Sequence, residues 1–383
     1  MSGLANGGRV RFAGQLVLLV AVLLGGCHYA LPAGLSEEEQ PLWTEADLPP
    51  LPPDADNGWV VFGEGIGTLS RMSSLPSDLS YLVHPDDVEF AEVTWADARD
   101  LGQEIDSFLG EESNLTCARF MLHAMAKPRF ADACGISSEA RCPAIEMLES
   151  HRGATLIEIH AALWGFWDEA AMGTSRMLRQ SFDLVVSSRR PSTRAVSLIM
   201  GRMPIALAGT LLAGWEEDTG GGHRDPDVRR ALAGLCAEVE AFDPRDIDPW
   251  QPMIGEYLGF LEVADMAAPR SDDGGIVDLV FYDRDSTLHV LNECFKALRE
   301  FAKNPLVADL PSSPDSTERW GWWLYNPVGK KVLSGDWWWA LTSMLETHEN
   351  RRRELAATRD DVLGRCEGLG LLASPLTVSP AEP

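Results

Sequence analysis

The sequence predicts a mainly α fold, an irregular multi-helix bundle or helical array with little or no sheet. Three observations lead there. Apolar residues recur at spacings of three and four, as in Leu101, Ile105 and Phe108 or Val228, Leu232, Leu235 and Val239, which is the period of a helix with one buried face. Prolines stand where such stripes begin or stop, as at Pro128, Pro143, Pro191, Pro226 and Pro252. Strand-like composition is confined to two short runs. Trp59–Phe62 reads as a short strand or a buried segment, and Ile276–Tyr282 as a strand or the start of a helix.

Composition bounds the function classes. With 383 residues, 45% of them hydrophobic, the chain can bury one large or two ordinary domains. A formal charge of -26 argues against nucleic acid as a partner and against attachment to an anionic lipid surface. The basic cluster Arg351-Arg352-Arg353 is brief and is followed by Glu354, the pattern of a solvated helix face.

Taken in order, the chain opens with Arg9 and Arg11, an apolar core from Leu16 to Leu24, and then Gly25-Gly26-Cys27. That is the order of a secretory signal over residues 1–26. The uncharged stretch Phe12–Leu35 is also long enough to span a bilayer, so an uncleaved anchor competes with a cleaved signal. Each reading exports the rest of the chain. Leu24-Gly25-Gly26-Cys27 resembles a bacterial lipobox, and the resemblance implies that Cys27 carries the lipid. The next residue is His28 rather than Asp, so the expected place is the outer membrane, facing the periplasm; the alternative is an inner-membrane anchor with a periplasmic domain.

Residues 27–58 combine Glu37-Glu38-Glu39 with Pro49, Pro50, Pro52 and Pro53 and are expected to form an extended tether. Gly63-Glu64-Gly65-Ile66-Gly67 misses the dinucleotide spacing and reads as a flexible turn. A helix is expected from Asp86, with Phe90, Val93, Leu101, Ile105 and Phe108 on its face and Asp97 out of place in the stripe. Helices come next near 115–126, from Pro143 with a bend near Gly153, and over 175–188. Asn114-Leu115-Thr116 is a glycosylation sequon in form only. Ala195–Trp215 is the most apolar internal run, but Arg202 and Pro204 in its middle favour a core helix over a membrane span. Gly220-Gly221-Gly222 either divides two helical subdomains, 59–219 and 223–370, or lies within one continuous domain. Asp225-Pro226, Pro252 and the face Leu288, Leu291, Cys294, Phe295, Leu298 mark three further helices, and a last one runs to about Cys366 before a disordered tail, 371–383.

With Cys27 set aside, six cysteines remain in a compartment that permits disulfides. Cys134 and Cys142 are close enough for a local bridge; Cys236, Cys294 and Cys366 are either bridged or buried thiols. Metal-ligand spacings, P-loops and nucleophile elbows are missing, and the reading includes no metal and no cofactor. The aromatic segment Trp320, Trp322, Trp323, Trp337, Trp338 and Trp339 is either a packed lid or an interface. For an enzyme, the candidates are Glu256, Asp283, Asp285 and His289, with Asp285 and His289 one helical turn apart.

Asp56-Asn57-Gly58-Trp59, Gly255-Glu256 and Asn326-Pro327-Val328-Gly329-Lys330, ahead of a long basic-and-apolar helix, together resemble a loose family of exported, membrane-tethered, mostly helical bacterial proteins. The resemblance implies architecture and compartment and supplies no catalytic residue. The expected function is therefore a tethered binding or scaffold component of the cell envelope, with an envelope protein as partner; the alternative is a periplasmic enzyme around Glu256, Asp285 and His289.

Overall fold

The computed structural model describes residues 40–67, 69, 71–83, 94–134, 143–219, 225–267, 284–309 and 337–372. The signal segment with Cys27, Cys142, the sequence around Asp86, Asp283, Trp320, Trp322, Trp323, the Asn326–Lys330 block and the tail lie outside them. The described residues hold twelve α-helices and no strand. In chain order they are α1 (Gly58–Ile66), α2 (Ser77–Val83), α3 (Trp95–Asp100), α4 (Gly102–Gly110), α5 (Glu112–Met125), α6 (Ala144–Leu163), α7 (Trp167–Ser187), α8 (Pro191–Thr219), α9 (Pro226–Ala241), α10 (Gln251–Ala267), α11 (Arg284–Ala302) and α12 (Trp337–Gly368).

Trp59–Phe62 is helical rather than a strand, and Asn57 is the reason. Its carboxamide accepts from the Trp59 amide at 3.1 Å, capping the first turn of α1. The same group accepts from the Ala131 amide at 3.0 Å and donates to the Ala131 carbonyl at 2.9 Å. Gly63 and Gly65, expected in a flexible turn, sit inside α1, which ends at Ile66. Asp97 also finds its explanation. It is the third residue of α3, its carboxylate accepting from the Thr94 amide at 2.8 Å while Thr94 Oγ1 accepts from the Asp97 amide at 3.2 Å.

α6 passes through Gly153 without a break, because the glycine lets α5 approach at Ala118. Trp167 opens α7, since Gly165 turns the chain at φ 84° after α6. α8 is long and apolar enough to cross a membrane, yet its most apolar window is 72% buried within the protein. Arg202 on α8 meets Glu354 at 3.0 Å. The helix therefore reads as a core element. Asn114 of the sequon is fully buried, bonded to the Phe108 carbonyl at 3.0 Å and to Ser73 at 2.8 Å.

The chain forms two compact units, one of Leu48–Glu256 with Met344–Pro383 and one of Met1–Asp47 with Tyr257–Ser343. α9, which follows Gly220-Gly221-Gly222 in sequence, packs on α7 and α8 and belongs to the same unit. In the larger unit α8 and α9 lie along α7, while α6 lies across α5, α7 and α8. The disulfide Cys236–Cys366, 130 residues apart in sequence, ties α9 to α12. α3 lays Trp95 over Gly214 of α8, where any side chain would collide with the indole, and Trp95 meets Trp167 at 5.0 Å between ring centroids.

The smaller unit is built on aromatic contacts. Tyr257 stands edge-on to Trp43 at 5.1 Å and to Phe295 at 5.2 Å, and Trp337 meets Phe260 at 4.6 Å. The Tyr257 hydroxyl donates to Asn292 at 2.7 Å and accepts from the Leu42 amide at 3.0 Å. Asn292 in turn donates to the Gln40 carbonyl at 3.0 Å. Residues 40–47 are therefore packed rather than part of a free tether, because Leu42 and Trp43 supply anchors among the acidic residues. Leu48, just beyond, is buried in the larger unit.

Candidate functional site

An open cleft of about 730 Å³ lies within the larger unit, between α1 and α6. Both helices pack on α5, and the cleft is the wedge between them. Trp59, Val60, Gly63, Glu64, Ile66 and Gly67 of α1 and its end form one wall. Pro143, Ile145, Glu146, Glu149 and Ser150 form the other, Cys117 and Met72 line it from α5 and the preceding segment, and Arg71 lies alongside. The size falls in the range of small-molecule sites, and the lining is apolar with a few polar groups.

Two features of the lining matter chemically. Ser150 is 2% exposed and lines the cleft. Glu64 and Glu149 are exposed on opposite walls, and neither forms an ion pair among the described residues. Cys117 is a free thiol, but burial raises its pKa, so it stays protonated and is a poor nucleophile.

The strongest electrostatic perturbations lie elsewhere. Glu158 on α6 is buried with its carboxylate over Gly173 of α7, in space that any side chain there would fill. Desolvation pushes its pKa up to about 8, against the opposing pull of Arg176. The α7–α8 corner holds a polar clasp. Asp132 accepts from the amides of Cys134 at 2.8 Å and Arg189 at 2.9 Å, and burial raises its pKa. Arg194 donates to the Asp248 carbonyl at 3.0 Å and to Gln251 at 2.8 Å. His348 meets the Pro191 carbonyl at 3.0 Å through Nε2. A carbonyl only accepts, so Nε2 carries a proton, and burial, which lowers the pKa to about 4, keeps the ring neutral. These groups hold the backbone of the corner.

The residues singled out from sequence fall in both units of the chain. Glu256 stands on α10 in the larger unit, where burial raises its pKa and Arg190 opposes the shift. Asp285 and His289 stand on α11 in the smaller unit, Asp285 exposed and His289 half-buried. Trp338 is 1% exposed, Trp337 half-buried against Phe260 and Phe295, and Trp339 55% exposed. Cys134 is disulfide-bonded, with Cys142 outside the described residues, and Cys294 is a buried free thiol. The cleft residues Ser150, Cys117 and Arg71 carry no sequence signal, since no motif joins them. Glu158 did carry one: a carboxylate between Ile157 and Ile159 in an apolar stripe. No protein-family model, no curated protein and no solved structure matches the chain.

Proposed function

We propose that the chain is an exported, membrane-tethered binding component of the cell envelope, with the α1–α6 cleft as its ligand site. The observation that carries the binding reading is the cleft itself, ligand-sized and apolar in most of its lining with a few polar groups. Export is supported by the order of basic, apolar and Gly25-Gly26-Cys27 segments at the N-terminus. The Cys236–Cys366 disulfide supports it independently, because such bonds persist in oxidising compartments.

Two measurements test this reading. Cys27→Ala should leave an unprocessed precursor and remove a fatty-acyl label that the parent protein carries; a parent chain without label and without processing contradicts lipid tethering. Native mass spectrometry of the purified parent protein should reveal small-molecule adducts that Gly63→Leu, which fills the cleft from the α1 wall, no longer carries. Adducts retained in full by that variant would remove the cleft from the account.

A further inference from the structure

We propose that His160 is a proton-dependent clasp for the exposed Trp164 side chain, holding the indole when Nε2 bears a lone pair and releasing it when Nε2 donates to Asp106. His160 stands on the last turn of α6, Trp164 caps that helix, and Asp106 reaches the ring from α4. The Trp164 indole N–H donates to His160 Nε2 at 3.0 Å, and Asp106 Oδ1 stands 2.6 Å from the same nitrogen. An imidazole nitrogen has one site in the ring plane, filled either by a lone pair or by a proton. The two contacts therefore exclude one another as hydrogen bonds.

The neutral ring with its proton on Nδ1 accepts from Trp164, and the Asp106 carboxylate, 51% exposed, turns to water. The charged ring donates from Nε2 to Asp106 in a charge-assisted bond, and the indole N–H loses its acceptor. Only the side chain responds, because the backbone around it is fixed. The amides of Trp164, Gly165 and Phe166 donate to the carbonyls of His160, Ala162 and Ala161 at 3.2, 2.9 and 2.9 Å. Trp164 is 66% exposed and Phe166 53%, on either side of Gly165. Protonation thus re-aims one member of an exposed aromatic pair on a rigid turn. Asp106 is the one charged group in contact with the ring among the described residues; no charged side chain of α2, α5, α7 or α8, which also pack on α6, touches it. On α6 itself, the carboxylate of Glu158 lies over Gly173 instead.

Fluorine NMR of the full chain labelled with fluorotryptophan tests the clasp, with Trp164→Phe assigning the resonance. From about pH 8 to about pH 5, where an imidazole changes charge, the Trp164 resonance should shift in one step. Its difference between light and heavy water should grow in the same step, as the indole gains solvent contact. His160→Gln should abolish the step, because a carboxamide does not titrate. Asp106→Asn should keep the step but move it about half a unit lower, since the charged ring loses its counter-charge. Should either variant fail to fold, raising the salt concentration on the parent protein should also move the step lower, because screening weakens the ion pair. A Trp164 resonance that stays in place over this range, a shift without gain in solvent contact, or the same step in His160→Gln overturns the clasp. A step that neither Asp106→Asn nor salt displaces overturns it as well, because Asp106 is then not the competing partner.

Discussion

Glu158 shows most plainly how one residue sets a property of the molecule. A carboxylate buried between α6 and α7 with only Arg176 to oppose desolvation has a folded pKa of about 8 against an ordinary 4.5. Because the folded value is the higher one, the native state holds this proton more tightly than the unfolded chain. Its contribution to stability is complete below about pH 4.5 and is lost as pH rises toward 8. The loss is on the order of 5 kcal/mol. Glu158→Gln keeps the shape over Gly173 and removes the titration, so urea unfolding of the variant should show a flatter stability profile between these limits and a gain at pH 8. A wild-type slope unchanged in the variant would contradict the assignment. Two histidines act in the opposite direction. Burial lowers His151 to about 3 and His348 to about 4, so both favour the native state near neutrality and oppose it as pH falls below 6.5.

At the scale of elements, the helices were legible because period and punctuation agree. Val228, Leu232, Leu235 and Val239 are buried on α9 as their spacing requires, and Pro143, Pro191 and Pro226 stand at helix starts. What sequence could not supply is where backbones touch. Gly58 and Gly255, both within the blocks that carried the family resemblance, are such places. A side chain at Gly58 would run into the Ala124 carbonyl, and one at Gly255 into the Arg189 carbonyl. These blocks therefore record close helix packing. Gly255→Ala should cost at least about 1–3 kcal/mol in thermal or chemical unfolding, since a backbone carbonyl cannot swing aside as a flexible side chain does. A variant as stable as the parent would show that α10 can withdraw from Arg189 freely. Of the two alternatives for Trp59–Phe62, a strand or a buried segment, the segment is buried, with Trp59 and Phe62 in the core, but helical, for a related reason. Its four apolar residues fit either period, and the deciding group, the Asn57 side chain, is held by Ala131 far along the chain.

At the scale of the whole molecule, one covalent link closes a loop of 130 residues between α9 and α12. Cys236→Ala/Cys366→Ala should lower stability by about 2–5 kcal/mol, and reduction of the parent protein should do the same. Equal unfolding midpoints with and without reductant would mean the link adds nothing. The cleft was the least legible feature. It arises because α1 and α6 rest on the same helix and diverge, so Glu64, Cys117 and Ser150 meet across a wide sequence separation without forming a motif. The most direct measurement of the central claim is photolabelling of the full chain with a neutral alkyl diazirine alcohol, followed by peptide mapping. The account predicts labels on residues 59–72 and 143–150, suppressed in Gly63→Leu. Labels confined to the exposed aromatic residues Trp164, Phe166 and Trp339 would contradict it.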